Sequence, residues 1–148
     1  MSNPAPHVDP DLTGLPSELG HDDTTPVVML NLNRYRDVAD YGDGRDEKVS
    51  GREAYLRYGA VAFAALTGVG AHILWSTDAH DVLIGCDHDR YDEVIAVWYP
   101  SRAAFLRLAE YPGYLEALAH RTASLEQATL IACAAAPTPV LSTPFAGN

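Results

Sequence analysis

A chain of 148 residues with 47% apolar and 20% charged residues fits one globular domain, long enough to bury a core without staples. Its formal net charge of −10 offers no basic stripe to nucleic acid and works against anionic membrane surfaces. Two cysteines, Cys86 and Cys133, make no disulfide framework, and no run reaches the roughly 18 apolar residues of a membrane span. Residues 1–25 lack the basic-then-apolar pattern of a secretory signal, so a cytoplasmic location is expected.

Residues 1–25 are rich in Pro, Asp, Ser, Thr and Gly and read as an N-terminal arm. Pro26 opens a strand, Val27-Val-Met-Leu-Asn-Leu-Asn. Val27 and Met29 lie on one side and Val28, Leu30 and Leu32 on the other, the pattern of a strand buried on both faces. A polar loop over 35–50 follows, of a length common in lids and binding loops. Ser50, with Glu53 three residues on, predicts the start of a helix over 51–67. Tyr55, Gly59, Ala62 and Leu66 share one face of it at helical spacing, and Gly68 and Gly70 end it. A second strand spans 71–77, with His72, Leu74 and Ser76 on one side and Ile73 and Trp75 on the other. Val82 to Cys86 is a short apolar segment between acidic turns. Glu93 to Tyr99 is a strong strand stopped by Pro100, and Ser101 caps a helix running to about Ala109. Pro112 breaks it, a second piece runs over 113–125, and the last strand spans 129–134.

The order β-α-β-β-α-β predicts an α+β ferredoxin-like sandwich over 26–136, with an antiparallel four-stranded sheet, two helices on one face and a loose tail over 137–148. Helices cover one face, yet the strands are apolar on both. A large apolar face rarely meets water, so a homodimer that packs sheet against sheet is expected.

The segments Val27-Val-Met-Leu-Asn-Leu, Tyr55-Leu-Arg-Tyr-Gly, His72-Ile-Leu-Trp, Leu83-Ile-Gly, Tyr99-Pro-Ser-Arg-Ala-Ala-Phe and His120-Arg-Thr-Ala-Ser-Leu-Glu resemble the domain-of-unknown-function 1330 family (DUF1330) across 26–135. That resemblance implies membership of the dimeric α/β-barrel superfamily, in which the sheets of two copies form a barrel. Relatives there include cofactor-free monooxygenases, muconolactone isomerases and haem-dependent enzymes, so the resemblance implies architecture and no particular reaction. The chain departs from the family pattern at Tyr91, where Trp is expected, and at Asn33, where a more apolar residue is expected.

Asn31 and Asn33 share one side of the first strand. Each bonds a neighbouring loop or offers polar groups to a pocket ligand, and Arg34 and Arg36 at the strand's end can clamp a carboxylate. Tyr55 and Tyr58 are helix neighbours with polar tips suited to an apolar ligand site. Trp75 and Trp98 are core or interface anchors or, for Trp75, a pocket wall. His120 can act as a general base and Arg121 can stabilise an oxyanion. With Tyr55 they suit proton transfer beside a carbonyl; otherwise they are ordinary surface and helix-end groups. His80 and His88, amid the carboxylates of residues 78–92, match no metal-ligand spacing. Neither phosphate-loop, dinucleotide, zinc nor nucleophile-elbow motifs occur, so no cofactor and no metal is expected. The reading is a small-molecule-binding protein, as a cofactor-independent enzyme acting on a carbonyl or carboxylate compound. The alternative is a non-catalytic dimeric binding or assembly module.

Overall fold

The computed structural model describes residues 24–143 and Phe145; most of the expected N-terminal arm lies outside them. The elements are β1 (Val27–Tyr35), α1 (Gly51–Gly68), β2 (His72–Asp78), β3 (Glu93–Tyr99), α2 (Arg102–Leu106), α3 (Tyr114–Ser124) and β4 (Leu125–Ala134), with 3-10 turns at Asp87–Asp89 and Arg107–Glu110. They form an α+β unit with one antiparallel sheet in the order β2-β3-β1-β4, consistent with a ferredoxin-like arrangement. No helix among the described residues is long and apolar enough to cross a membrane.

Local chemistry sets the helix ends. Ser50 Oγ accepts from Glu53 N–H at 3.0 Å and Ser101 Oγ accepts from Ala104 N–H at 3.0 Å, each cap contributing about 1 kcal/mol. At the other end of α1, Gly70 turns left-handed at φ 78°. Its N–H reaches the Thr67 carbonyl, and the Ala71 N–H reaches that of Leu66, closing the orphaned carbonyls in the paired pattern that favours glycine. The second helical segment, expected as two pieces broken at Pro112, is three: α2, a 3-10 turn and α3. Pro112 cannot continue α2 and its 3-10 turn, and Gly113, at φ 85°, redirects the chain into α3.

The helices cover the face carrying Val27, Met29, Val97 and Tyr99. There Ala62 and Ala65 of α1, Ala104 and Phe105 of α2 and Tyr114 of α3 complete the core. The opposite face carries Val28, Leu30 and Leu32 of β1, in register with Trp98, Ala96 and Val94 of β3 and with Cys133, Ile131 and Thr129 of β4. No helix covers it. Trp98 is nonetheless buried, and its indole N–H donates to the Ala136 carbonyl at 2.9 Å, just beyond β4.

The short apolar segment Val82 to Cys86 is a bend between β2 and β3, with Leu83 and Ile84 projecting at 91% and 98% exposure and the Cys86 N–H tied to Asp89 Oδ2. Two features differ from the sequence reading. Leu125 is fully buried opposite Tyr35, so β4 begins directly after α3, four residues before the expected start. Finally, β2 is irregular between Ile73 and Trp75. Ile73 faces Val97, but Trp75 faces Ala96, so the extra residue puts Trp75 on the helix-free side.

Candidate functional site

The sheet's helix-covered face and α1 do not close completely. They leave a cavity of about 170 Å³. Its helical wall is the stripe that the sequence spacing predicted, Tyr55, Gly59, Ala62 and Leu66, joined by Tyr58 and Phe63. Its floor is Asn31, Ile73, Ile95, Val97 and Tyr99, and Leu108 and Tyr114 complete it. Small residues at 59 and 62 on α1 leave the space that larger side chains would fill.

A second, smaller recess of about 40 Å³ shares Asn31, Tyr58, Tyr99, Leu108 and Tyr114 with the cavity and adds Arg121 and Phe105. The two spaces are therefore an apolar chamber and a polar recess with common walls.

The polar groups are ordered. Asn31 Nδ2 donates to the Met29 and Ile95 carbonyls at 3.3 Å each, leaving Oδ1 as the acceptor it can offer. The Tyr58 and Tyr114 hydroxyls share a hydrogen bond at 2.9 Å. The rings of Tyr35, Tyr55, Tyr58 and Tyr114 form a chain with successive centroids 5.3, 5.4 and 6.0 Å apart. Tyr99 lies between the two spaces, is 4% exposed, and its hydroxyl makes no hydrogen bond among the described residues.

Burial pushes the Tyr55 phenol up to about 12, with the nearby Tyr58 adding to the rise and the Arg121 charge opposing it. Burial also raises Tyr99 and Tyr114, and the Tyr58 hydrogen bond and the Arg121 charge pull Tyr114 the other way. All three phenols stay protonated near neutral pH, so the walls are hydrogen-bond donors rather than bases.

Beside the cavity, Asn33 is 1% exposed. Its Nδ2 reaches the Tyr35 hydroxyl at 3.5 Å, and its Oδ1 is sealed with no partner among the described residues. The Tyr35 hydroxyl donates to Glu93 Oε1 at 2.6 Å, and Arg52 pairs with the same carboxylate at 3.2 Å.

The structure brings Asn31, Tyr55, Tyr58 and Arg121 to the walls of these two spaces, while Asn33 lines neither. Three other candidates lie elsewhere. Trp75 is on the opposite side of the sheet because of the β2 irregularity. Arg34 pairs with Glu126 at 3.1 Å at the strand's end. His120 sits in a separate cluster: its Nδ1 is 2.7 Å from the Tyr41 hydroxyl, Arg45 stacks over the Tyr41 ring at 3.7 Å, and Arg57 pairs with Glu47 at 2.8 Å. Burial, then the charges of Arg57 and Arg45, hold the His120 imidazole below its usual range. Tyr99, Tyr114 and Leu108 were not singled out from sequence. For Tyr99 a signal existed, since it shares the parity of Val97 and ends a strand buried on that side. Among the described residues no group of three or more His, Cys, Asp or Glu side chains suits a metal ion.

Fold and cavity together define a small α+β protein whose helix layer and sheet enclose a tyrosine-walled space. The chain belongs to the DUF1330 family, described as a domain of unknown function, whose profile matches residues 45–135. The match begins after β1, so Asn31 and Asn33 lie outside it. The chain is similar to the methylated RPA0582 protein, whose crystal structure is 34% identical, covers 90% of this chain and 97% of that one, and superimposes with a TM-score of 0.79. It is also similar to the crystal structure of RPA0582 from Rhodopseudomonas palustris, a structural genomics target of unknown function. Here the identity is 31%, the coverage 89% and 98%, and the TM-score 0.77. Among curated proteins none matches this chain.

Proposed function

We propose that this protein binds a small molecule with an apolar body between α1 and the sheet, oriented by the Tyr99 hydroxyl and the Asn31 side chain. The observation that carries the reading is Tyr99, a buried phenol with no hydrogen-bond partner among the described residues, on the wall of both spaces. A ligand acceptor would give this hydroxyl the partner it lacks among the described residues, a bond worth about 0.5–1.5 kcal/mol. An apolar cavity of about 150 Å³ can hold one benzene ring, so 170 Å³ suits a single ring or a short branched chain. Phenols that stay protonated and an arginine hold and polarise a ligand oxygen without taking a proton near neutrality. The reading therefore favours binding over the proton transfer that His120, Arg121 and Tyr55 suggest in sequence. A thermal-shift screen of single-ring phenols, amides and carboxylic acids tests it. A ligand at one hundred times its Kd stabilises by about 2.7 kcal/mol, a shift of several degrees. No shift from any member, or equal shifts in wild type and a Gly59→Leu variant, removes the reading.

A second observation supports pairing of two copies as a dimeric α/β barrel. The helix-free face is apolar across β1, β3 and β4, with Ile131 44% exposed and Trp75 45% exposed on β2. Sedimentation of wild type against Ile131→Asp tests it. A two-copy species that the substitution dissociates is expected, and a wild-type single-copy species at micromolar concentration overturns it.

A further inference from the structure

We infer that the ligand is a monocarboxylate with a single-ring or short branched apolar body, its carboxylate in the recess at Arg121 and its body in the chamber against α1. This rests on the binding reading above and adds the charge and direction of the ligand.

The two spaces differ in size and chemistry. The chamber is about 170 Å³ and is walled by Ala62, Phe63, Leu66, Ile73 and Val97 around the tyrosines. The recess is about 40 Å³; a liquid water takes up about 30 Å³, so it admits only a compact head group. Arg121 lines the recess and not the chamber, and it is 6% exposed. A guanidinium on a wall so far from solvent is only weakly screened, and its planar fork suits a carboxylate. Its positive field reaches neighbouring phenols: it acts to lower both Tyr55 and Tyr114 against the rise that burial imposes. The Tyr99 hydroxyl, without a partner among the described residues, supplies a neutral donor beside the cation. Every one of these groups donates, and a carboxylate has only acceptors to offer.

The orientation follows from the walls. Asn31 and Tyr99 line both spaces, whereas Arg121 lines the recess alone, so the cation decides which space takes the anion. Asn31 spends its NH2 on main-chain carbonyls and offers the anion no donor. The apolar body is left to fill the chamber, where Gly59 and Ala62 leave room.

The test compares three probes of nearly equal shape, benzoate, benzamide and benzyl alcohol, by titration calorimetry at pH 7 on wild type, Arg121→Met and Tyr99→Phe. Wild type is expected to bind benzoate at least tenfold tighter than benzamide. Arg121→Met should weaken benzoate about tenfold to hundredfold, the size of one lost charge-assisted hydrogen bond, and leave benzamide within about twofold. Tyr99→Phe, which deletes one oxygen and keeps the ring, should weaken benzoate several-fold and carries the test if Arg121→Met does not fold. Benzamide or benzyl alcohol binding as tightly as benzoate overturns the carboxylate assignment and leaves the cavity reading standing. An Arg121→Met protein that keeps the benzoate preference also overturns it. Failure of all three probes removes both.

Discussion

Gly59 is the position at which stability and binding should move in opposite directions. It lies inside α1, its backbone has no left-handed φ, and it lines the chamber. A Cβ built there meets nothing within 4 Å. Glycine in a helix interior costs about 0.5–1 kcal/mol relative to alanine, because the unfolded chain loses more freedom on folding. With no neighbour to clash, Gly59→Ala should recover that amount. For a chain of this size it corresponds to an upward shift of about 1.5–3 °C in melting temperature. Gly59→Leu should fold, because the added side chain has the chamber to enter, and it should abolish binding of single-ring probes by filling their space. Thermal unfolding followed by circular dichroism, with and without benzoate, reads both effects. The reasoning fails if Gly59→Ala lowers the melting temperature, since the space beside α1 would then be occupied. It also fails if Gly59→Leu binds probes as wild type does, since the ligand would then lie elsewhere.

Three further outcomes are expected. Asn33→Leu should raise stability by about 1 kcal/mol in urea unfolding, because it replaces a sealed, unpartnered carbonyl with an apolar group of similar size and leaves the Tyr35–Glu93 bond in place; a loss of more than about 1 kcal/mol would show that the amide is satisfied. Gly51→Ala should destabilise by about 2–3 kcal/mol, because a Cβ there would run into the carbonyl oxygens of Arg36 and Ser124 where α1 begins; unchanged unfolding would contradict that close approach. His120 is held below its unfolded range, so between its folded pKa and about 6.5 the unfolded chain binds more protons than the folded one. Stability should therefore fall as pH drops through that window, and His120→Gln should flatten the slope; an identical pH profile in the variant would refute the assignment.

Much of this protein was legible in its residues. The apolar parity of Val27 and Met29 against Val28, Leu30 and Leu32 indicates a strand with two dry faces. The caps at Ser50 and Ser101 and the stop at Gly70 place the helix ends. The stripe Tyr55, Gly59, Ala62, Leu66 is the very wall of the cavity, because a 3.6-residue period is a property of the chain alone. Other features depended on partners far away in sequence. Perfect alternation sets Trp75 beside Ile73. Pairing with β3 is satisfied with one extra residue in β2 instead, and Trp75 crosses to the other face. Nothing local marks Leu125 as a strand residue; it becomes one by burial opposite Tyr35. His120 and Arg121 are adjacent in the chain, yet neighbouring helical positions point about 100° apart. One therefore meets Tyr41 of the loop after β1 while the other lines the recess beside Tyr99. Periodicity and capping are short-range energies that a sequence carries with it. Register, parity across a bulge and the company a side chain keeps are settled only when distant strands and helices compete for the same buried space.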